Sequence, residues 1–148
     1  MKSIFEVSTR EELKARINSL QPETTAQWGK MNLYQMLKHC TLCEDMFWGE
    51  LKIKRVFIGR IIGPGFLKKV LKDDAPFGKN SPTSPLLKET NENGDIQLQK
   101  EEWLNRIEKY ATYDNSTFVH PFFGPMTKEQ MGLFAYKHAD HHLRQFGA

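Results

Sequence analysis

A chain of 148 residues, 39% hydrophobic and 26% charged, has the size of one domain and an ordinary globular composition, which excludes a disordered or membrane-embedded class. The formal net charge of +3 is too small to mark nucleic acid as a partner, so none is expected. Two cysteines three residues apart, and no charged-then-apolar leader, give no disulfide framework and predict one soluble domain, residues 1–148, in a reducing cytoplasm.

Ser8 and Thr9 stand three residues before Glu11 and Glu12, a capping-box arrangement that predicts a first helix starting there. Leu13, Ile17 and Leu20 follow at helical spacing until Pro22 and Glu23-Thr24-Thr25 end the pattern. Asn32 caps the next predicted helix with Gln35 in the reciprocal position, and Leu33, Met36, Leu37, Cys40, Cys43 and Phe47 form its apolar stripe up to Gly49. Trp28 should pack at the entrance of that helix, as a core residue.

From Lys52 to Lys72 the chain holds seven basic residues and no acidic one, interleaved with Val56, Phe57, Ile61, Ile62, Phe66, Leu67 and Leu71. The apolar window falls short of the ~20 residues a membrane helix needs, so no transmembrane segment is expected. A helix pair broken at Gly63-Pro64-Gly65 fits, its apolar residues packing on the bundle while Lys and Arg face water. The competing reading is an amphipathic surface for a membrane or an acidic partner, and more weakly a surface for nucleic acid.

Residues 73–94 contain Pro76, Gly78, Pro82, Pro85 and Asn93-Gly94, too many breakers for long regular structure, and form a long crossover connection. Asp95 then caps a third bundle helix with Trp103, Ile107, Tyr110 and Ala111 on one face, ended by Asn115-Ser116. His120-Pro121-Phe122-Phe123-Gly124-Pro125 cannot be helical throughout. His120 should shape that turn, with Phe122 and Phe123 as core anchors, although a role as fourth ligand competes. Thr127 with Gln130 opens the last helix, whose inner face runs through Met131, Phe134 and Ala135 to His138 and then to His141 or His142.

Imidazoles four apart on a helix share one face, close enough to bind one cation. His138 and His142 have that spacing where core residues belong, and burying both without a cation would cost their desolvation. His39, on the flank of the second helix's stripe, is a third candidate donor. Three neutral nitrogens leave coordination positions open, the pattern of a catalytic rather than a closed structural site. Zinc is the default cation, with nickel or iron behind it. His141 matches the angle less well and reads as a surface or supporting residue. Cys40 and Cys43 read as small buried hydrophobes, with Cys40 the thiol beside His39. Asp140 should point elsewhere, and Arg144 and Gln145 read as solvated residues at a helix end, with a place on the rim of the site as the alternative. No general base stands out, since Glu44 and Asp45 would serve only if the bundle brought them round.

The runs Trp28-Gly29-Lys30-Met31 and Gln35-Met36-Leu37-Lys38-His39-Cys40, His120-Pro121-Phe122-Phe123-Gly124, and Tyr136-Lys137-His138-Ala139-Asp140-His141-His142-Leu143-Arg144-Gln145-Phe146 carry a resemblance. In order and spacing, from about residue 5 onward, the chain resembles the DinB-like superfamily. The resemblance implies an all-α four-helix bundle with a long crossover connection, a divalent metal on His39, His138 and His142, and a homodimer. It also implies a metal-dependent enzyme of thiol transferase or hydrolase type, acting on a small-molecule substrate that includes low-molecular-weight thiols such as bacillithiol or mycothiol. The alternative is a non-catalytic bundle that binds a metal or ligand.

Overall fold

A computed structural model of the chain describes residues 1–115 and 117–148. Among them the helices are α1 (Val7–Ser19), α2 (Leu33–Trp48), α3 (Phe57–Val70), α4 (Ile96–Lys109) and α5 (Lys128–Gln145), with short 3-10 turns at Pro85–Leu87 and Tyr110–Thr112. Strands β1 (Val119–His120) and β2 (Gly124–Pro125) pair antiparallel, Val119 opposite Pro125 and His120 opposite Gly124.

Three of the helix starts follow directly from side-chain chemistry. Asn32 Oδ1 accepts from the Gln35 amide at 2.9 Å while Gln35 Oε1 accepts from the Asn32 amide at 3.1 Å, a reciprocal cap on α2. Thr127 and Gln130 repeat the device on α5. Asp95 caps α4 by accepting from the Leu98 amide. Helix α2 ends at Gly49, whose φ of 81° is the left-handed closing conformation. The expected capping box at Ser8 and Thr9 does not form: α1 starts one residue earlier, at Val7, its N-cap Glu6 makes no side-chain cap, and Ser8 and Thr9 lie inside the first turn. Charge spacing suggested the box, but backbone entry from Ile4 and Phe5, held by Arg10 Nη1 on both carbonyls, sets the start.

Helix α4 lies against both α1 and α2, and α5 also touches both. Leu13 and Ile17 of α1, Met36 and Leu37 of α2, Trp103 and Ile107 of α4, and Met131 and Leu143 of α5 are fully or nearly fully buried between them. Each such side chain contributes about 1.5–3 kcal/mol relative to exposure. Ala111, expected on the inner face of α4, is exposed because the helix tightens to 3-10 geometry at Tyr110 and rotates it outward. The expected stop at Asn115-Ser116 falls partly outside the described residues; α4 itself closes at Lys109.

Helix α3 departs from expectation twice. It is one helix that runs through Pro64, not a broken pair. Pro64 removes the hydrogen bond to the carbonyl of Arg60, but both residues are exposed, so water can serve that carbonyl. Only part of its apolar face packs on the core as expected: Leu67 joins it and Val70 and Leu71 lie against it, with Gly59 and Gly63 also buried, but Val56, Phe57, Ile58, Ile61, Ile62 and Phe66 remain exposed. The helix also sits on the β-hairpin, where a Cβ at Gly59 or Gly63 would lie 2.4 or 2.1 Å from the carbonyl oxygen of Phe122. That close seating needs glycine twice on one face. Among the described residues no helix is long and apolar enough to cross a membrane.

Candidate metal centre

The α2 stripe that buries Met36, Cys40 and Phe47 carries His39 into the interior on its flank, 4% exposed. On α5 the face of Met131, Phe134 and Ala135 continues to His138 and His142, as the spacing predicts. The three rings meet: centroids are 5.3 Å apart for His39 and His138, and 4.8 Å both for His39 and His142 and for His138 and His142. One ring nitrogen from each lies within 4.8 Å of the others. His141 and His120 stay outside this group.

Two of the rings are oriented by hydrogen bonds on the far side. His39 Nδ1 is 2.6 Å from the carbonyl oxygen of Leu87, and His142 Nδ1 is 2.9 Å from Gln145 Oε1. A carbonyl can only accept, so Nδ1 of His39 carries the hydrogen and Nε2 keeps its lone pair. Gln145 Nε2 donates to the Trp28 carbonyl at 2.8 Å, which fixes the amide with its oxygen toward His142 and assigns that ring the same tautomer. Nδ1 of His138 is covered and has no hydrogen-bond partner among the described residues.

Burial depresses all three imidazoles. It holds His142 down to about 3, with His39 nearby adding to the effect and the Gln145 contact opposing it. His138 is pushed well below its usual value by burial first and then by His142 and His39. His39 is lowered by burial, partly offset by the Leu87 carbonyl. The rings are therefore neutral at pH 7, the form that donates to a cation. Convergent neutral nitrogens, tautomers fixed on two rings and one covered nitrogen without a partner together fit a divalent cation. Short ring rotations would still draw the donors together, because zinc-to-nitrogen bonds of about 2.0–2.1 Å need nitrogens closer than this.

The connection over residues 73–94 frames the cluster. Its 3-10 turn supplies the Leu87 carbonyl, and Phe77 packs on His141 with ring centroids 5.8 Å apart. Trp28 is half-buried and also meets His141, with ring centroids 5.9 Å apart, so it borders the histidines instead of joining the core. His141 itself is 9% exposed and its ring lies 5.0 Å from that of His142, so of the two roles expected for it the geometry gives the buried neighbour and not the surface residue. Burial and not solvent surrounds Gln145 too, at 4% exposed. Its signal was its position three residues after His142. The Leu87 carbonyl had no side-chain signal at all.

Other expectations sort themselves by geometry. Cys40 Sγ points to Met36 Sδ at 3.6 Å, while Cys43 Sγ lies 3.6 Å from His39 Nε2, so the thiol beside the cluster is Cys43. Neighbours in sequence diverge by about 100° on a helix, whereas residues four apart share a face. Both thiols are pushed far up by burial. Asp140 pairs with Arg16 and Arg144, each at 2.8 Å, away from the cluster. Glu44 takes the Tyr110 hydroxyl and Asp45 takes Arg106, so neither is brought round to the histidines. His120 Nδ1 accepts from the amides of Phe122 and Phe123 at 3.1 and 3.2 Å and shapes the hairpin turn, with both phenylalanines partly buried.

A family model described as "Protein of unknown function (DUF1569)" matches residues 5–148. No curated protein and no solved structure matches the chain.

Proposed function

We propose that this chain, which belongs to the DUF1569 family, is a DinB-like four-helix bundle that holds a divalent cation on His39, His138 and His142 and uses it on a small molecule. The convergence of three neutral imidazoles from α2 and α5 carries the reading. The contacts of α4 and α5 with both α1 and α2 are compatible with a bundle of those four helices, the crossover running through residues 73–94. Zinc is the first candidate, then nickel or iron.

A cation there would supply Lewis acidity toward a lone pair of the substrate. Leu87 and Gln145 hold the imidazoles in register, and Trp28 and Phe77 cover the His141 side. Three protein donors leave room for a substrate donor, for which a low-molecular-weight thiol or a hydrolysable small molecule is the fitting class. A non-catalytic role in holding a cation is favoured by one observation: among the described residues no carboxylate joins the ring of histidines, and Glu44 and Asp45 are engaged elsewhere.

The test is metal content by mass spectrometry on untagged protein, with His138→Ala alongside, followed by absorption spectra of cobalt-loaded protein titrated with a small thiol and with azide. Near-stoichiometric metal, lost in the variant, and visible bands that shift with added thiol are expected. Metal without any spectral response would move the weight to the non-catalytic reading. Failure to retain metal after reconstitution with zinc, nickel and iron would end the proposal.

A further inference from the structure

The outward side of α3 stands apart from the histidine centre and is built differently from the rest of the surface. At about 100° per residue, Phe57, Ile58, Ile61 and Gly65 fall opposite the buried Gly59, Gly63 and Leu67. They are open to solvent: Phe57 is 76% exposed, Ile61 66% and Ile58 50%, and a Cβ at Gly65 would meet nothing within 4 Å. Singly exposed apolar residues are ordinary, but three large ones grouped on one helix face are not.

Charge brackets the patch at both ends. Lys52 and Lys54 precede it, while Lys68, Lys69 and Lys72 follow it, Lys68 and Lys72 continuing its outward direction. All five are exposed, and among the described residues none pairs with a carboxylate. No acidic residue lies between Lys52 and Lys72.

We infer that the outward face of α3 docks the protein on an anionic lipid surface, with Phe57, Ile58 and Ile61 entering the boundary between headgroups and acyl chains. The flanking lysines, long enough to bury their stems and hold their ammonium groups at the phosphates, supply the attraction. The helix lies in the plane of the interface and does not cross it. A second copy of the chain is the poorer occupant. With lysines at both ends of the patch, parallel and antiparallel pairing alike would set like charges against each other. An anionic surface meets the apolar and the basic groups at once.

Co-sedimentation of the full-length protein with vesicles of equal parts phosphatidylglycerol and phosphatidylcholine, and with pure phosphatidylcholine vesicles, tests this at low and high salt. Binding to the anionic vesicles should be at least about tenfold tighter than to the neutral ones and should weaken with salt. Lys68→Glu with Lys69→Glu, and separately Phe57→Ser with Ile61→Ser, should each weaken it by about tenfold or more, with far-ultraviolet spectra unchanged because the altered side chains are exposed. Equal binding to both vesicles, or none to either, overturns the inference. So does loss of binding with the lysine changes alone, which would mark a diffuse charge effect without apolar insertion. A dimer in size-exclusion chromatography that the Phe57 and Ile61 changes dissociate, with vesicle binding intact, would assign the face to a second copy instead.

Discussion

Gln145 touches the centre through one atom and the chain's early loop through another. Its Oε1 fixes the hydrogen on His142 Nδ1, and its Nε2 is spent on the carbonyl of Trp28. Gln145→Leu keeps the bulk and removes both contacts, so His142 loses its fixed tautomer. Metal affinity should fall about 10–100-fold, as it does when the outer partner of a ligating histidine is removed. Competition with a chromophoric chelator would measure this, and an unchanged affinity would show that packing alone orients the ring. The proposed donors were legible in the sequence, His138 and His142 from four-residue spacing on an apolar face and His39 from its place on the flank of the α2 stripe. Their partners were not. Gln145 looks like any polar residue near a helix end, and a backbone carbonyl such as that of Leu87 leaves no trace in residue identity. The same geometry explains why Cys43 and not Cys40 lies beside His39.

Helices whose ends are set by a side-chain cap and whose apolar faces recur at regular spacing could be placed from the sequence, as α2 and α5 were. Helix α3 could not, since Gly-Pro-Gly reads as an interruption when only local preference is weighed. The glycines at 59 and 63 serve a contact instead, one face pressed on the backbone of Phe122 and Phe123. Gly63→Ala would force a methyl carbon to 2.1 Å from the Phe122 carbonyl oxygen, which only displacement of the helix or the hairpin can relieve. A loss of about 1–3 kcal/mol is expected, read as a lowered midpoint in thermal or urea unfolding. Gly65→Ala, on the open side, serves as the control and should be neutral or slightly stabilising, through its better helix propensity. The displacement should also be felt at α5, because Lys137 Nζ donates to the carbonyls of Val70 and Asp73, one residue before His138.

Over the whole molecule, buried ionisable groups set how stability changes with pH. Burial lowers all five histidines, His142 to about 3 and His120 to about 4. Between those values and the ordinary 6.5 the unfolded chain binds more protons than the folded one, so the histidine contribution is lost as pH falls. Glu44 acts in the opposite sense: burial pushes it up to about 7, so its contribution is present at acid pH and lost as pH rises from 4.5 toward 7. Five groups outweigh one. The melting temperature of metal-free protein should therefore fall steadily from pH 7 to pH 5, and Glu44→Gln should steepen that fall by removing the opposing contribution. A melting temperature that is flat or rises on acidification would contradict this balance. The order of the helices along the chain adds a consequence for biosynthesis. His39 leaves the ribosome on α2, but its partners wait on α5, which follows every other helix. Until α5 has been made and has packed, the chain can offer His39 and His120 but not the proposed set of three, so an ion held there would be captured only as α5 docks, at the close of folding and not on an early intermediate.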